Sequence, residues 1–239
     1  MKITVEVSRK NFDELPYYLQ EATMQSEIKI LQEDWQEESD RVIDFFDYEL
    51  IEKYNFNPYN SPKSIKISAD YVLFEKEAFE KVFLENLRKK CQGYLENTED
   101  ISVILQTKYF GVKRVGLPHI KVESTPMEDI KINIPEDYLE DKKKNILVEA
   151  NKLYANMQDL FLNVYNSFSC IPNDDKIYES TEEIVKDRYY YIDNKDNILL
   201  FLTKKDFKTV NQADNYAKKE LTKTFSKRDI NFDSKETIL

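Results

Sequence analysis

Glycine, histidine and cysteine are the residues that this chain has least of. Its 239 residues include three glycines, one histidine and two cysteines. Loops that cradle a phosphate need several glycines close together, because the backbone must approach the phosphate closely. Gly93, Gly111 and Gly116 do not meet that requirement. Two thiols, Cys91 and Cys170, are too few for a zinc site or a disulfide framework, so we expect buried thiols in a reducing cytosol.

Long apolar segments are lacking as well. The longest apolar runs are as short as residues 198–202, whereas about 20 apolar residues are needed to cross a bilayer. Residues 1–18 contain no apolar stretch of the kind found in secretion signals. Together with two thiols that have no disulfide pattern, these features predict a cytoplasmic protein with no membrane association.

Charged and aromatic side chains are abundant. Charged residues make up 33% of the chain and hydrophobic residues 41%, with 16 tyrosines and 14 phenylalanines. This aromatic content favours a folded core over disorder. Heavy use of Lys, Asn, Ile, Tyr and Phe indicates an AT-rich coding source, which favours a low-GC bacterium, its phages or a mobile element.

Hydrophobic periodicity predicts an α+β fold, in which long amphipathic helices accompany short antiparallel sheets. Helices are expected at about 11–25, 27–54, 75–97, 135–170 and 203–225, and strands at 2–7, 64–74, 101–124 and 130–134. Apolar segments 188–192 and 198–202 flank the turn residues DNKDN. They predict a β-hairpin that forms a C-terminal ββα unit with the helix after it.

The domain boundary is predicted near Pro135, because a proline followed by two acidic residues favours a helix start. We expect an acidic α+β lobe at 1–134, a lobe of one long helix and the ββα unit at 135–228, and a flexible tail at 229–239. A single continuous domain is the alternative.

One helix after Pro135 has a regular apolar stripe. Its residues, spaced by four and three, are Ile146, Ala150, Leu153, Met157, Leu160 and Val164. A second stripe lies beside it, so the apolar face is wide. We expect this helix to be buried within its own domain. A seam for self-association, as in a structural or assembly subunit, is the alternative.

Carboxylates are concentrated in the segment EDWQEESDRVIDFFDYE, residues 33–49. At about 100° per residue, five of them project from one line of a helix: Glu33, Glu37, Asp40, Asp44 and Asp47. Acidic residues one turn apart repel each other, so local helix stability does not explain the pattern. Either this line is a solvated face of an acidic protein, or it binds a basic partner, for instance by imitating nucleic acid.

The opposite charge prevails near the C-terminus. Residues 1–60 contain 6 Lys and Arg against 14 Asp and Glu, whereas residues 186–228 contain 11 against 6. Six lysines of the C-terminal unit are candidates for binding nucleic acid: Lys204, Lys205, Lys208, Lys218, Lys219 and Lys223. Tyr189, Tyr190 and Tyr191 are candidates for base stacking, but alternation puts Tyr190 on the opposite face, so we expect packing in the core.

Catalytic patterns are weak. The single histidine, His119, has no nearby serine or cysteine in a nucleophile turn. Asp129-Ile130-Lys131 and Asp193-Asn194-Lys195 have the local form of a magnesium-dependent nuclease motif, but such spacing arises often by chance in a highly charged chain. We therefore predict no catalytic residue, metal or cofactor.

The sequence favours a non-enzymatic interaction protein, in which the acidic helix binds a basic protein, for instance to inhibit it as a nucleic-acid mimic. The alternatives are a nucleic-acid-binding accessory protein that acts through the C-terminal unit, an assembly subunit, and a magnesium-dependent nuclease.

Overall fold

Helices and short sheets alternate along the chain. The computed structural model describes residues 3–92, 99–116, 121–172, 174–225 and 228–233. The helices are α1 (Tyr17–Tyr54), α2 (Lys76–Cys91), α3 (Glu140–Ser169), α4 (Asp174–Lys186) and α5 (Val210–Thr224). The strands are β1 (Ile3–Asn11), β2 (Ile65–Ser68), β3 (Tyr71–Glu75), β4 (Ser102–Leu105), β5 (Tyr109–Val115), β6 (Lys121–Ser124), β7 (Ile130–Asn133), β8 (Arg188–Asp193), β9 (Ile198–Thr203) and β10 (Arg228–Asp233). The predicted α+β class is confirmed.

Contacts divide the chain into two compact units. The terminal unit combines Met1–Asp34 with Pro172–Leu239, and the central unit is Trp35–Ile171. Neither junction coincides with the boundary expected at residue 135. The difference arises because β1, at the start of the chain, pairs with β8, and local sequence patterns do not show which distant strands pair.

The terminal unit contains a four-stranded sheet in the order β10-β1-β8-β9. Its pairs are antiparallel except for β1 and β10, which run parallel. One apolar cluster contains Phe12, Leu15, Met24, Val185, Tyr190 and Ile192. The other contains Val7, Tyr191, Ala217 and Leu221. Successive residues of a strand point to opposite faces, so helices cover both faces of this sheet: α1 and α4 one face, α5 the other.

The predicted C-terminal hairpin and helix are present as β8, β9 and α5. Asp193 shapes the turn by accepting hydrogen bonds from the backbone N–H groups of Lys195 and Asn197, at 2.8 and 2.9 Å. The sequence predicts a flexible tail from residue 229, whereas residues 228–233 form β10 beside β1. Residues 234–239 lie outside the described part of the chain.

The central unit has a four-stranded antiparallel sheet, β2-β3-β5-β6, and a two-stranded one, β4-β7. Its core is rich in phenylalanine. The rings of Phe79 and Phe110 stack at 4.3 Å, and Phe161 meets Phe46 and Phe110 edge to face at 5.1 and 5.3 Å. Aromatic pairs with such geometry add about 0.5–1.5 kcal/mol beyond the area that they bury.

Helix α3 supplies much of this core. All six residues of its predicted stripe, from Ile146 to Val164, are buried there. This stripe therefore faces the core of the central unit and is not free to form a seam between copies of the chain. It begins at Glu140, not at Pro135, because Leu139 is extended. Helix α4 was not predicted at all.

Candidate binding surface on helix α1

Helix α1 is longer and more regular than the sequence indicates. Two helices were expected, at 11–25 and 27–54, but Tyr17–Tyr54 is one helix of 38 residues, about 57 Å long at 1.5 Å per residue. It ends where Asn55 adopts a left-handed conformation with φ 53°, which asparagine tolerates. In the central unit, Phe46, Leu50 and Tyr54 point from one side of α1 into the core. The opposite side faces solvent.

Four of the five predicted carboxylates lie on that solvent side. Glu33, in the terminal unit, and Glu37, Asp40 and Asp44, in the central unit, are all exposed. The expectation for Asp47 was wrong, because only 8% of its surface is exposed. Asp47 follows the buried Phe46 directly, so it lies at the edge of the predicted line nearest the core.

Asp47 contacts Tyr59 in the turn after α1. Burial raises the pKa of the Asp47 carboxyl, the hydrogen bond with Tyr59 lowers it, and the charge of Asp44 raises it, with a net increase above the ordinary 3.8. The same hydrogen bond raises the pKa of the Tyr59 hydroxyl. Asp47 therefore attaches the turn to the helix and is not a free surface charge.

Nearby cations only partly balance the remaining carboxylates. Arg41 lies 3.5 Å from Glu37 and 3.4 Å from Glu38, and both pairs are well exposed, so each stabilises by at most about 1 kcal/mol. Asp40 accepts a hydrogen bond from Gln36 at 2.8 Å. Among the described residues, no cation lies within ion-pair distance of Asp40 or Asp44. The surface around them is therefore anionic.

Exposed apolar side chains accompany these acids. Phe45, Tyr48 and Ile51 expose 52%, 60% and 37% of their surface. Tyr48 is four residues after Asp44, so the two side chains are neighbours on the helix. Sequence reasoning missed this feature. The signal was the pair Phe45-Phe46, since adjacent helical residues differ by about 100° and one of the two must turn away from the core.

A shallow groove lies on the Phe45 side of α1. It encloses about 230 Å³ between α1 and α3, and Val42, Phe45 and Val164 supply its apolar lining. Glu38 and Arg41 line its polar part. The exposed acids Glu37, Asp40 and Asp44, with the exposed apolar residues Phe45, Tyr48 and Ile51, are called the acidic–aromatic surface below.

The predicted basic residues do not form one compact patch. Lys204, Lys205 and Lys208 precede α5, whereas Lys218, Lys219 and Lys223 lie in its last two turns. From Val210, the first residue of α5, to Lys223 the helical rise is about 20 Å. Two of the six are engaged: Lys204 donates to the carbonyl of Lys186 and Lys223 pairs with Glu220, both at 2.6 Å.

Two tyrosines of β8 are buried in the core, as expected, whereas Tyr189 is half-buried. Tyr190 and Tyr191 are fully buried in the two apolar clusters on opposite faces of the sheet. Neither ring is accessible for stacking on a base.

The weak catalytic motifs gain no support. Burial raises the pKa of Asp193, but hydrogen bonds from Asn197 and Lys195 outweigh it, so the pKa lies below its usual value, as expected for a turn aspartate. In the described part of the chain, no three His, Cys, Asp or Glu side chains are placed to share a metal ion. His119 lies outside the described residues. None of the described helices is both long and apolar enough to cross a membrane.

Comparison of the chain with known protein families, with curated proteins and with solved structures gives no match.

Proposed function

We propose that this is a non-enzymatic interaction protein, and that its acidic–aromatic surface binds a basic partner protein. One observation carries the proposal: Asp40 and Asp44, which have no cation within ion-pair distance in the described structure, lie on the same helix as the exposed Phe45 and Tyr48. Acidic neighbours at this spacing repel each other, so a partner that brings positive charge relieves an existing cost.

The exposed aromatic residues favour a protein as the partner of this surface. Carboxylates about 5–6 Å apart on a helix resemble the charge array of a nucleic acid strand, and a nucleic-acid-binding protein is attracted to such an array. Exposed aromatic side chains offer apolar contacts, which a simple counterion does not use. Tyrosine and phenylalanine are enriched at the centres of protein interfaces. A basic nucleic-acid enzyme that is inhibited by occupation of its binding groove fits both features.

The test compares two triple variants in pull-downs from the native cells. The first is Glu37→Lys/Asp40→Lys/Asp44→Lys. The matched control is Asp175→Lys/Glu179→Lys/Glu183→Lys, which changes the net charge equally at three exposed acids of α4 with one-turn spacing. Circular dichroism and thermal melting must show that both variants are folded. The pull-downs are run with and without nuclease.

We expect a stoichiometric protein that survives nuclease, is retained by the control and is lost by the α1 variant. Tyr48→Ser should weaken binding of the purified pair at high as well as low salt, because that contact is not electrostatic. A partner that both triple variants retain equally would contradict the proposal. Recovery of nucleic acid instead of protein would favour the C-terminal lysines.

A further inference from the structure

A second surface of the central unit has a different chemistry. Sheet β2-β3-β5-β6 packs one face on the core, with Val72, Phe74, Phe110 and Val112 buried. Residues that alternate with these point to the other face. Lys66, Leu73 and Gly111 are three such residues. They are neighbours across the sheet, because Leu73 pairs with Lys66 on one side and with Gly111 on the other. Tyr109 and Lys113 flank Gly111 on the same strand.

Gly111 lies where β5 comes too close to β3 for a side chain. Its φ is 144°, and a Cβ atom there would lie 2.1 Å from the carbonyl oxygen of Val72, so no other residue fits without rearrangement. Gly111 also lines a cavity of about 290 Å³. This is near the lower end of the volumes typical of small-molecule sites. Leu73 and Pro126 give the cavity apolar walls.

Two ammonium groups line the same cavity, and a third, from Lys66, contacts the lining residue Tyr109 but also lies 3.8 Å from Glu75. Lys66 donates a hydrogen bond to the Tyr109 hydroxyl at 2.8 Å, and Lys108 lies 5.3 Å from the centre of the Tyr109 ring. Lys108 and Lys113 both line the cavity. Within the described part of the chain, neither has a carboxylate within ion-pair distance.

The lining also contains two acids, which do not cancel this charge. Glu123 lies 3.4 Å from Lys121 in a largely exposed pair, so Lys121 partly balances its charge. Asp129 is the other lining carboxylate. With Lys121 counted beside Lys108 and Lys113, three ammonium groups face two carboxylates, which leaves a local positive excess in a protein whose net charge is −10.

We infer that this cavity over Gly111 binds a small molecule with an apolar body and an anionic group, either a phosphate or a carboxylate. The apolar body rests on Gly111 and Leu73, and the anionic group meets Lys108 and Lys113. The inference does not depend on the proposed function, because no residue of α1 lines the cavity.

The chain offers a single-residue reporter for the test. Phe110-Gly111 is the only Phe-Gly pair in the sequence. Labelling phenylalanine with ¹³C at the carbonyl and glycine with ¹⁵N therefore gives one carbonyl-filtered amide signal, from the lining of the cavity. The full-length protein is titrated with phenyl phosphate, with benzoate, and with benzyl alcohol as the uncharged probe.

We expect the Gly111 signal to shift saturably with phenyl phosphate or benzoate, with a millimolar or lower dissociation constant, and the stronger of the two identifies the anionic group. Lys108→Gln/Lys113→Gln should weaken binding about ten-fold or more, because it removes both charges. Lys131→Gln, an exposed lysine on β7, should leave binding unchanged. The unliganded signal of each variant reports that the sheet is intact.

Three results would overturn the inference. One is a Gly111 signal that neither anionic probe shifts. The second is benzyl alcohol acting as strongly as the charged probes, and the third is the double variant binding as well as Lys131→Gln.

Discussion

Arg188 and Glu27 form a two-point ion pair across 161 residues of sequence. The guanidinium Nη1 and Nη2 atoms lie 2.8 and 3.1 Å from the two carboxylate oxygens, and the side chains are only 14% and 13% exposed. The guanidinium also lies over the ring of Phe201, 4.4 Å from its centre. Within the terminal unit, this pair joins α1 to the first residue of β8.

Removal of Glu27 should destabilise the protein. Glu27→Ala leaves the largely buried charge of Arg188 without its partner, so we expect the free energy of unfolding to fall by about 2–3 kcal/mol. Urea denaturation measures this change. Glu182→Ala is the control, because its pair with Lys186 is about half exposed and should contribute less than about 1 kcal/mol. Equal losses in the two variants would argue against the role of the Arg188 pair.

Asp47 should make stability depend on pH in a defined direction. Its pKa is raised in the folded state, mainly by burial, above the ordinary 3.8. As the pH rises above 3.8, the unfolded chain therefore loses its proton first, and the contribution of Asp47 to stability declines until the folded pKa is passed. Asp47→Asn removes this effect, so the stability of the variant relative to the wild type should increase with pH over that window.

Urea denaturation at a series of pH values checks the Asp47 prediction. Gln25→Asn, an exposed change on the same helix that removes no ionisable group, should show no such trend. A relative stability of Asp47→Asn that decreases with pH would show that the carboxyl is not held in its neutral form.

Gly111 should tolerate no side chain. In Gly111→Ala the new Cβ meets the Val72 carbonyl oxygen at 2.1 Å and the left-handed φ is strained, so β3 and β5 must separate. We expect a loss of about 3 kcal/mol or more in the free energy of unfolding, seen by urea denaturation. Lys113→Ala, two residues along on the same face, should change stability by no more than about 0.5 kcal/mol. A stable Gly111→Ala variant would contradict this account of the strand.

Tyr109 should lose its hydroxyl proton at a lower pH than an ordinary tyrosine does. The hydrogen bond from Lys66 lowers the pKa of its hydroxyl, burial raises it, and Lys108 lowers it further, so the result lies below 10.0. Tyrosine labelled with ¹³C at Cζ reports the titration by NMR, and Tyr109→Phe identifies the signal. Lys66→Gln should move the pKa of Tyr109 upward. No movement in that variant would mean that the ammonium group does not contact the phenol in solution.

Much of the secondary structure follows from local patterns. Alternation predicted β1, two apolar segments around a turn predicted the C-terminal hairpin, and the four-and-three spacing on α3 predicted its buried stripe. Boundaries were less well predicted, as at Pro135, because helix starts depend on backbone conformations that several residues can adopt. Helix α4 was missed, although Ile177, Thr181 and Val185 repeat at four-residue spacing and are buried.

The candidate surface was predicted in outline only. Helical spacing was sufficient to place Glu37, Asp40 and Asp44 on one side of α1, and the structure leaves all three exposed. The cavity over Gly111 had no local signal, because its lining comes from separate segments of the chain.

The sequence by itself determined the fold class, the buried stripe of α3 and the side of α1 on which most of its carboxylates project. Periodicity is sufficient for these because it reports how a residue points relative to its own helix or strand. Only the tertiary structure decided that β1 lies between β8 and β10, that Glu27 meets Arg188, and that Asp47 is covered while Asp44 is not. Those outcomes depend on which distant segments pack together, and packing is set by the sum of many weak contacts across the whole chain.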